Sequence, residues 1–253
     1  MQRTFTTTEP VDLVLEIQAG DVTITATETT ETTVSVSGAA ADEVRVEQDG
    51  RSVSVIGPRL EGIFRRSPEL DVAITLPTGS SLAVKVGSAD VEARGTFGSL
   101  RAKAGSGDIA VGRLTLASRA VSGSGDLRVD RADAAFEATS GSGDILVGAS
   151  AGGIQAKVGS GEIEVGSISG DVTATTGSGD IRIRSLGAGE ARLRTGSGDI
   201  RVGVPDGVPV WTDINAHGGV TSTLSSRGAP AVGEPFVAVR AQVGSGSVHL
   251  EQV

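Results

Sequence analysis

The sequence predicts an all-β fold, a parallel β-solenoid with 18-residue coils. Three observations carry this prediction: a Gly-Ser-Gly-Asp motif recurs at a fixed period, apolar and polar residues alternate after each copy, and helical periodicity is nowhere convincing. Clear copies begin at Gly105, Gly123, Gly141, Gly177 and Gly196, and degraded copies begin at Gly87 and Gly159. Successive copies follow the same 18-residue period, except that the last step is one residue longer.

Each repeat predicts two short strands. When a repeat is numbered from its first Gly, positions 5 and 7 are apolar and position 6 is often charged, as in Ile181-Arg182-Ile183. A second alternating stretch covers positions 14 to 18, with Ala at position 16 and solvent-suited residues such as Arg101 and Arg119 at position 15. One repeat cannot bury its own apolar face, whereas stacked repeats can, with strands about 4.8 Å apart. A β-propeller blade would need roughly 40 residues or more.

Three regions are predicted along the chain. Residues 1–86 contain alternating strands that pack on the solenoid or continue it, and Asp49-Gly50 predicts a hairpin there. Residues 87–203 are the seven-coil array. Residues 204–253 form closing coils and a cap, because the exposed strand edges at a solenoid end need cover. Residues 60–68 and 225–235 are predicted loops.

Composition excludes several classes of function. The chain has 253 residues, a net charge of −9 and no Cys, so disulfides and thiolate metal sites are excluded. No basic patch stands out, so we expect no nucleic-acid partner. No long apolar run or signal-like segment occurs, so we expect no direct membrane insertion. A cytoplasmic location is expected, with cell-surface association possible through partners.

An acidic residue at position 4 of each repeat would form a column with one carboxylate per coil: Asp90, Asp108, Asp126, Asp144, Glu162, Asp180 and Asp199. In the structural interpretation, each carboxylate accepts hydrogen bonds from turn amides or from the Ser two residues earlier. Arg128, Arg182 and Arg201 would add charge compensation. In the functional interpretation, the column binds calcium, as a related glycine- and aspartate-rich nonapeptide does. We favour the structural interpretation, because the acidic motif here recurs only once per 18-residue coil, and we predict no metal and no cofactor.

Catalytic arrangements are not evident in the sequence. Paired carboxylates could cleave glycans, but the array lacks the long loops that build a cleft. No nucleophile elbow and no phosphate-binding loop is present. His217 and His249 are far apart along the chain and make a poor metal pair, and Trp211 is expected in the core rather than as a sugar platform. We therefore predict no catalytic residues and no enzyme activity.

Three features of the sequence occur together: an opening segment with Leu13, Glu16 and Ile17 before Gly20-Asp21-Val22-Thr23-Ile24, the strand Val72-Ala73-Ile74-Thr75-Leu76 with Pro77-Thr78-Gly79, and the Ser-Gly-Asp-Ile-x-Val repeats. In these features the chain resembles the bacterial adhesin-like family of β-strand-repeat proteins, also described as the toastrack domain. The resemblance implies a single-stranded, right-handed parallel β-helix. It also implies a link to adhesion and, through partner domains, to envelope-stress systems. No catalytic residues are defined for the family.

These observations together predict a non-enzymatic structural or binding module. Such a module would present a rigid repeat surface to a protein partner or would self-associate. Two alternatives are a calcium-binding adhesin and a glycan-binding or glycan-cleaving β-helix. A glycan ligand is unsupported, because aromatic residues make up only 2% of the chain.

Overall fold

The chain folds as the all-β parallel solenoid that its repeat predicts. The computed structural model describes residues 1–58, 68–225 and 236–253. These residues form 24 strands, and the helical structure among them is one 3-10 turn at Ala41–Glu43. The chain divides into two compact units, Met1–Val129 and Asp130–Val253.

The strands of the first unit alternate between two sheets. In chain order they are β1 (Gln2–Thr6), β2 (Asp12–Ile17), β3 (Gly20–Thr27), β4 (Glu31–Gly38), β5 (Arg45–Asp49), β6 (Ser52–Ile56), β7 (Leu70–Pro77), β8 (Ser81–Val86), β9 (Asp90–Phe97), β10 (Leu100–Ala104), β11 (Ile109–Leu114) and β12 (Ser118–Ser122). β13 (Leu127–Ala132) contains the boundary between the units. The first sheet has the order β1-β4-β7-β3-β9-β11, and the second has the order β5-β6-β2-β8-β10-β12.

The first coil of this unit lies out of sequence order. β2 pairs in parallel with both β6 and β8, and β3 pairs in parallel with both β7 and β9. Residues 12–27 therefore form an inner coil between two coils that come later in the chain. Antiparallel strands complete this end: β4 lies on β7, β1 lies on β4, and β5 lies on β6. The β5–β6 pairing confirms the predicted hairpin, and its Gly50 has a φ of 56°.

The second unit repeats the same two-sheet arrangement. Its strands are β14 (Phe136–Ser140), β15 (Ile145–Ser150), β16 (Ile154–Ser160), β17 (Ile163–Ser169), β18 (Val172–Ser178), β19 (Ile181–Ser197), β20 (Ile200–Val204), β21 (Val210–Ala216), β22 (Val220–Ser222), β23 (Val237–Ser245) and β24 (Val248–Gln252). The long β19 takes part in both sheets, since its first half pairs with β17 and its second half pairs with β18.

The last coil of the chain is also an inner coil. β23 lies between β19 and β21, and β24 lies between β20 and β22. β21 and β22 therefore form the outermost coil, and in the part of the chain that the structure describes each of them pairs along one edge only. The predicted loops at 60–68 and 225–235 fall almost wholly outside the described residues. The division into three regions stays a prediction.

The core of each unit lies between its two sheets and is narrow. Position 5 and position 7 of the repeat are buried, as the alternation predicts, for example at Ile109 and Val111. Position 16 is buried Ala from Ala102 to Ala174, and the largest buried side chains are Phe97 and Phe136. Small and β-branched side chains suit this thin layer, because the two sheets leave little space between them.

Glycine at position 1 of the motif is required by the closeness of successive coils. A Cβ on Gly159 would lie 2.4 Å from the carbonyl oxygen of Gly141, one coil below. In later coils glycine at position 3 is also favoured by the backbone conformation, since Gly179 has a φ of 142°, which other residues rarely adopt. At the motif, the backbones of successive coils therefore lie too close together to admit a Cβ.

We predict that Gly159→Ala lowers the free energy of unfolding by about 1–3 kcal/mol, because its Cβ would overlap a backbone atom that cannot move aside. Gly153→Ala is the matched control, since its Cβ would meet Asp171 O at 3.6 Å, an ordinary contact. Denaturant unfolding of both variants measures the difference. Equal stability of the two variants would contradict the close stacking.

Candidate functional site

The acidic column of the first unit is a ladder of hydrogen bonds between coils. The backbone amide of Asp108 donates to Asp90 Oδ1 at 2.9 Å, and the amide of Asp126 donates to Asp108 Oδ1 at 2.8 Å. Each carboxylate thus accepts from the equivalent residue one coil later. The structural interpretation expected donors within the same turn, and the ladder instead joins one coil to the next.

The second unit contains a ladder of the same kind. Asp144 accepts from the amide of Glu162, Asp180 accepts from the amide of Asp199, and Asp199 accepts from the amide of Ser247, all within 2.8–2.9 Å. Arg201 adds charge compensation, with Nη1 at 3.1 Å from Asp180 and Nη2 at 3.0 Å from Asp199. Carboxylates stacked at strand spacing therefore offset their repulsion by accepting from amides and, at Asp180 and Asp199, from the Arg201 guanidinium.

Two further acidic residues belong to this column in the first unit. Asp21 lies in register with Asp71 on one side and with Asp90 on the other. The sequence does not reveal these positions, because Asp21 and Asp71 lie outside the 18-residue period and their coils are stacked out of order. Gly20-Asp21-Val22 and Leu70-Asp71-Val72 carry a weak signal, an Asp followed directly by a strand.

The column offers no evident cluster of metal ligands. Among the residues that the structure describes, no group of three or more His, Asp or Glu side chains could hold a metal ion. The absence of a metal and of catalytic residues stays a prediction. His217 follows β21 in a turn, whereas His249 lies on β24 in register with Arg201 and Thr221, and neither belongs to such a group.

The expectation that Trp211 lies in the core is wrong. Its side chain is 49% exposed on the outer strand β21, and the Arg240 guanidinium lies 5.4 Å from the centroid of its ring. Trp211 pairs in register with Ala238, between the two buried residues Val237 and Val239. Strand alternation therefore directs its side chain outward.

The expectation that the chain has no basic patch is also wrong. On the outer face of the second sheet in the first unit, Arg101 lies in register with Arg119, and Lys103 lies in register with Lys85. All four side chains are exposed, because each alternates with buried residues along its strand. They line a depression of about 470 Å³, which we call the cationic groove (Lys85, Arg101, Lys103 and Arg119).

The shape of the cationic groove follows from the side chains beside its cations. Ala83 lies in register with Arg101, and Val121 lies in register with Lys103, so short side chains form the floor between long ones. Val14 of the inner coil completes the lining next to Ala83. The result is an open, partly apolar depression bordered by positive charge.

Neighbouring groups offset part of this charge, since Lys85 and Arg119 each have an interaction partner. Lys85 approaches Glu16, with Nζ at 3.6 Å from Oε2. Within the described ranges, Arg101 and Lys103 form no ion pair and no side-chain hydrogen bond. Each also lies one strand spacing from a like charge, and in water two such charges repel by about 1 kcal/mol.

Several cations elsewhere on the chain are held against acids. On the first sheet, Arg94 Nε donates to Glu92 Oε1 at 2.7 Å, and this hydrogen bond keeps the pKa of Glu92 below its usual value. Arg240 lies 3.0 Å from Glu190, and Arg131 lies 2.7 Å from Asp133. Arg101 and Lys103 differ from these cations, because neither is held against an acid among the described residues.

The sequence contains a signal for the cationic groove. Arg101 and Arg119 share position 15 of the repeat, and Lys85 and Lys103 share position 17. These four residues are far apart along the chain, so they do not form a visible basic run. They form a patch only when the repeats are aligned and stacked in register.

Comparison with known proteins identifies relatives of this architecture. A family model described as Toastrack DUF4097 matches residues 11–206. No curated protein shows significant similarity to the chain. No helix in the described parts of the chain is long and apolar enough to cross a membrane.

Two solved structures share the fold. A candidate adhesin from Bacteroides fragilis is 14% identical, with a TM-score of 0.51, and the match covers 100% of this chain and 96% of the other. A candidate lipid-binding protein from Parabacteroides distasonis is 11% identical, with a TM-score of 0.51, and the match covers 98% of this chain and 96% of the other. At these identities the comparison shows the fold alone.

We predict that Asp108→Ala and Asp108→Asn differ in stability. Alanine leaves the Asp126 amide without its acceptor and costs about 1 kcal/mol, whereas Asn keeps an acceptor oxygen and costs less than about 0.5 kcal/mol. Thermal unfolding of the natural chain and of both variants, with calcium or with a chelator, measures the stability lost in each variant and any stabilisation by calcium. If calcium stabilises the natural chain and Asp108→Asn abolishes that stabilisation, the column is a calcium site and the structural interpretation is wrong.

Proposed function

Because the chain belongs to the toastrack family of β-strand-repeat proteins, we propose that it is a non-enzymatic, adhesin-like binding module. It presents the outer face of its second sheet to a protein partner. Neither the family nor the two solved structures carries the name of an enzyme, which supports this assignment. In this proposal the chain takes part in surface or envelope-stress functions, and partners bring it to the cell surface.

The observation that carries the proposal is the exposed, charged face of β8, β10 and β12 in the first unit. Each of these strands alternates buried and outward residues, and β8 and β10 are hydrogen-bonded along both edges. The outward side chains therefore stand on a backbone that is already ordered before binding. A preordered surface loses less conformational entropy on association than a loop does.

A second candidate is self-association through the outermost coil of the second unit. Val220 on β22 lies in register with buried Val248, yet it is 52% exposed. β21 and β22 also each present an edge with no paired strand among the described residues. Such edges are templates for pairing with another chain.

Site-specific photo-cross-linking tests both candidates. p-Benzoylphenylalanine replaces Ala83 on the outer face of the second sheet, Ala73 on the outer face of the first sheet, or Val220 on the outermost coil. Ala83 and Ala73 are both exposed alanines of the first unit, so they form a matched pair. We expect a discrete protein adduct in native cells from position 83 and none from position 73.

The other outcomes are equally informative. An adduct of two copies of the chain from position 220, with none from position 83, would replace the first candidate by self-association. Adducts of equal yield from positions 83 and 73 would contradict a specific face. Release of reducing ends from a polysaccharide panel by the purified chain would contradict the non-enzymatic assignment.

A further inference from the structure

We infer that the cationic groove binds an extended acidic segment of the protein partner, an inference that rests on the proposed protein-binding function. The groove is defined by Lys85, Arg101, Lys103 and Arg119 on the outer face of β8, β10 and β12. Three properties identify the ligand: the sign of the charge, its spacing, and the apolar floor.

The charge of the groove selects an anion. Four cations and one acid, Glu16, line it, whereas the whole chain has a net charge of −9. Arg101 and Lys103 have no ion-pair partner within the described ranges, so their donors are available to a ligand. Arg101 can hold a carboxylate with two parallel hydrogen bonds, while Lys103 offers a compact charge.

The spacing of the cations matches an extended peptide. Arg101 and Lys103 are two residues apart on β10, which separates their Cα atoms by about 6.6 Å. Carboxylates at alternate positions of an extended peptide have the same separation. A peptide strand lying along β10 therefore directs two acidic side chains toward the two cations.

The floor of the groove favours a peptide over the other polyanions. Val14, Ala83 and Val121 give it an apolar base on which the aliphatic parts of a peptide can pack. No aromatic side chain lines the groove, so the stacking platform that single-stranded nucleic acids use is missing from it. The depression is open along the sheet and has a volume within the usual range for ligand clefts, roughly 300–1,000 Å³.

Fluorescence anisotropy with a labelled decapeptide of alternating Glu and Val tests the inference on the full chain. We expect saturable binding that weakens with salt. The double substitution Arg101→Glu/Lys103→Glu should weaken it by about tenfold or more, since two charge-assisted contacts become repulsive.

The matched control is Lys157→Glu/Arg194→Glu, which changes the net charge by the same amount. Both residues are exposed on strands of the second sheet in the second unit. We expect this variant to bind within about twofold of the natural chain, because salt screens distant charges. Thermal unfolding of both double variants confirms that they fold. Equal loss of affinity in the two variants would overturn the inference, since general electrostatics would then explain binding.

Competing ligands give the remaining outcomes. A decapeptide with all Glu residues before all Val residues should bind more weakly, because it lacks the alternating spacing. Tighter binding of oligothymidine or of phosphatidylglycerol vesicles, lost in R101E/K103E, would overturn the inference in favour of nucleic acid or lipid.

Failure of this inference and failure of the proposed function are separable. If the R101E/K103E chain keeps its protein adduct from position 83, the face binds a partner but the groove cations do not select it. If the adduct is absent from the natural chain and the peptide does not bind, both are wrong. Peptide binding that fits all the expectations above, together with loss of the adduct in R101E/K103E, supports both.

Discussion

In-register stacking of each strand on its neighbours is the constraint from which the other features follow. Backbone hydrogen bonds at strand spacing bring the same repeat position of successive coils within about 5 Å. At position 1 this closeness leaves no room for a Cβ, which explains why the residue stacked on Gly141 is a glycine, Gly159. At position 4 it lets one carboxylate reach the amide of the next coil. On the outer face it turns residues that are distant in sequence into columns of like side chains.

The stacking order at the two chain ends adds a second consequence. The first coil, β2–β3, and the last coil, β23–β24, are each inserted between two other coils. β2, β3, β23 and β24 are therefore hydrogen-bonded along both edges. In the first unit this insertion also places Val14 beside Ala83 and so completes the apolar floor of the cationic groove.

Much of the fold could be predicted from the sequence, because the period and the alternation are visible in the order of residues along the chain. The buried pairs such as Ile109 and Val111 follow from them directly. The order of coils could not be predicted, since β2 and β3 carry no period that links them to β8 and β9. Trp211 was misplaced because its place in the alternation follows from its register with Ala238, which the sequence does not show. The cationic groove was missed because its four residues are neighbours only after stacking.

Cysteine cross-linking across the inserted coil tests the stacking order most directly. Because the chain has no natural Cys, only the introduced thiols can react. Val14 is in register with both Ser54 and Ala83, so Ser54 and Ala83 are two strand spacings apart. We expect dibromobimane, a short thiol cross-linker, to join Val14→Cys to Ala83→Cys rapidly. The pair Ser54→Cys and Ala83→Cys should remain unjoined. Efficient linking of Ser54 to Ala83 without linking of Val14 to Ala83 would mean that the coils stack in sequence order, and Val14 would then not line the groove.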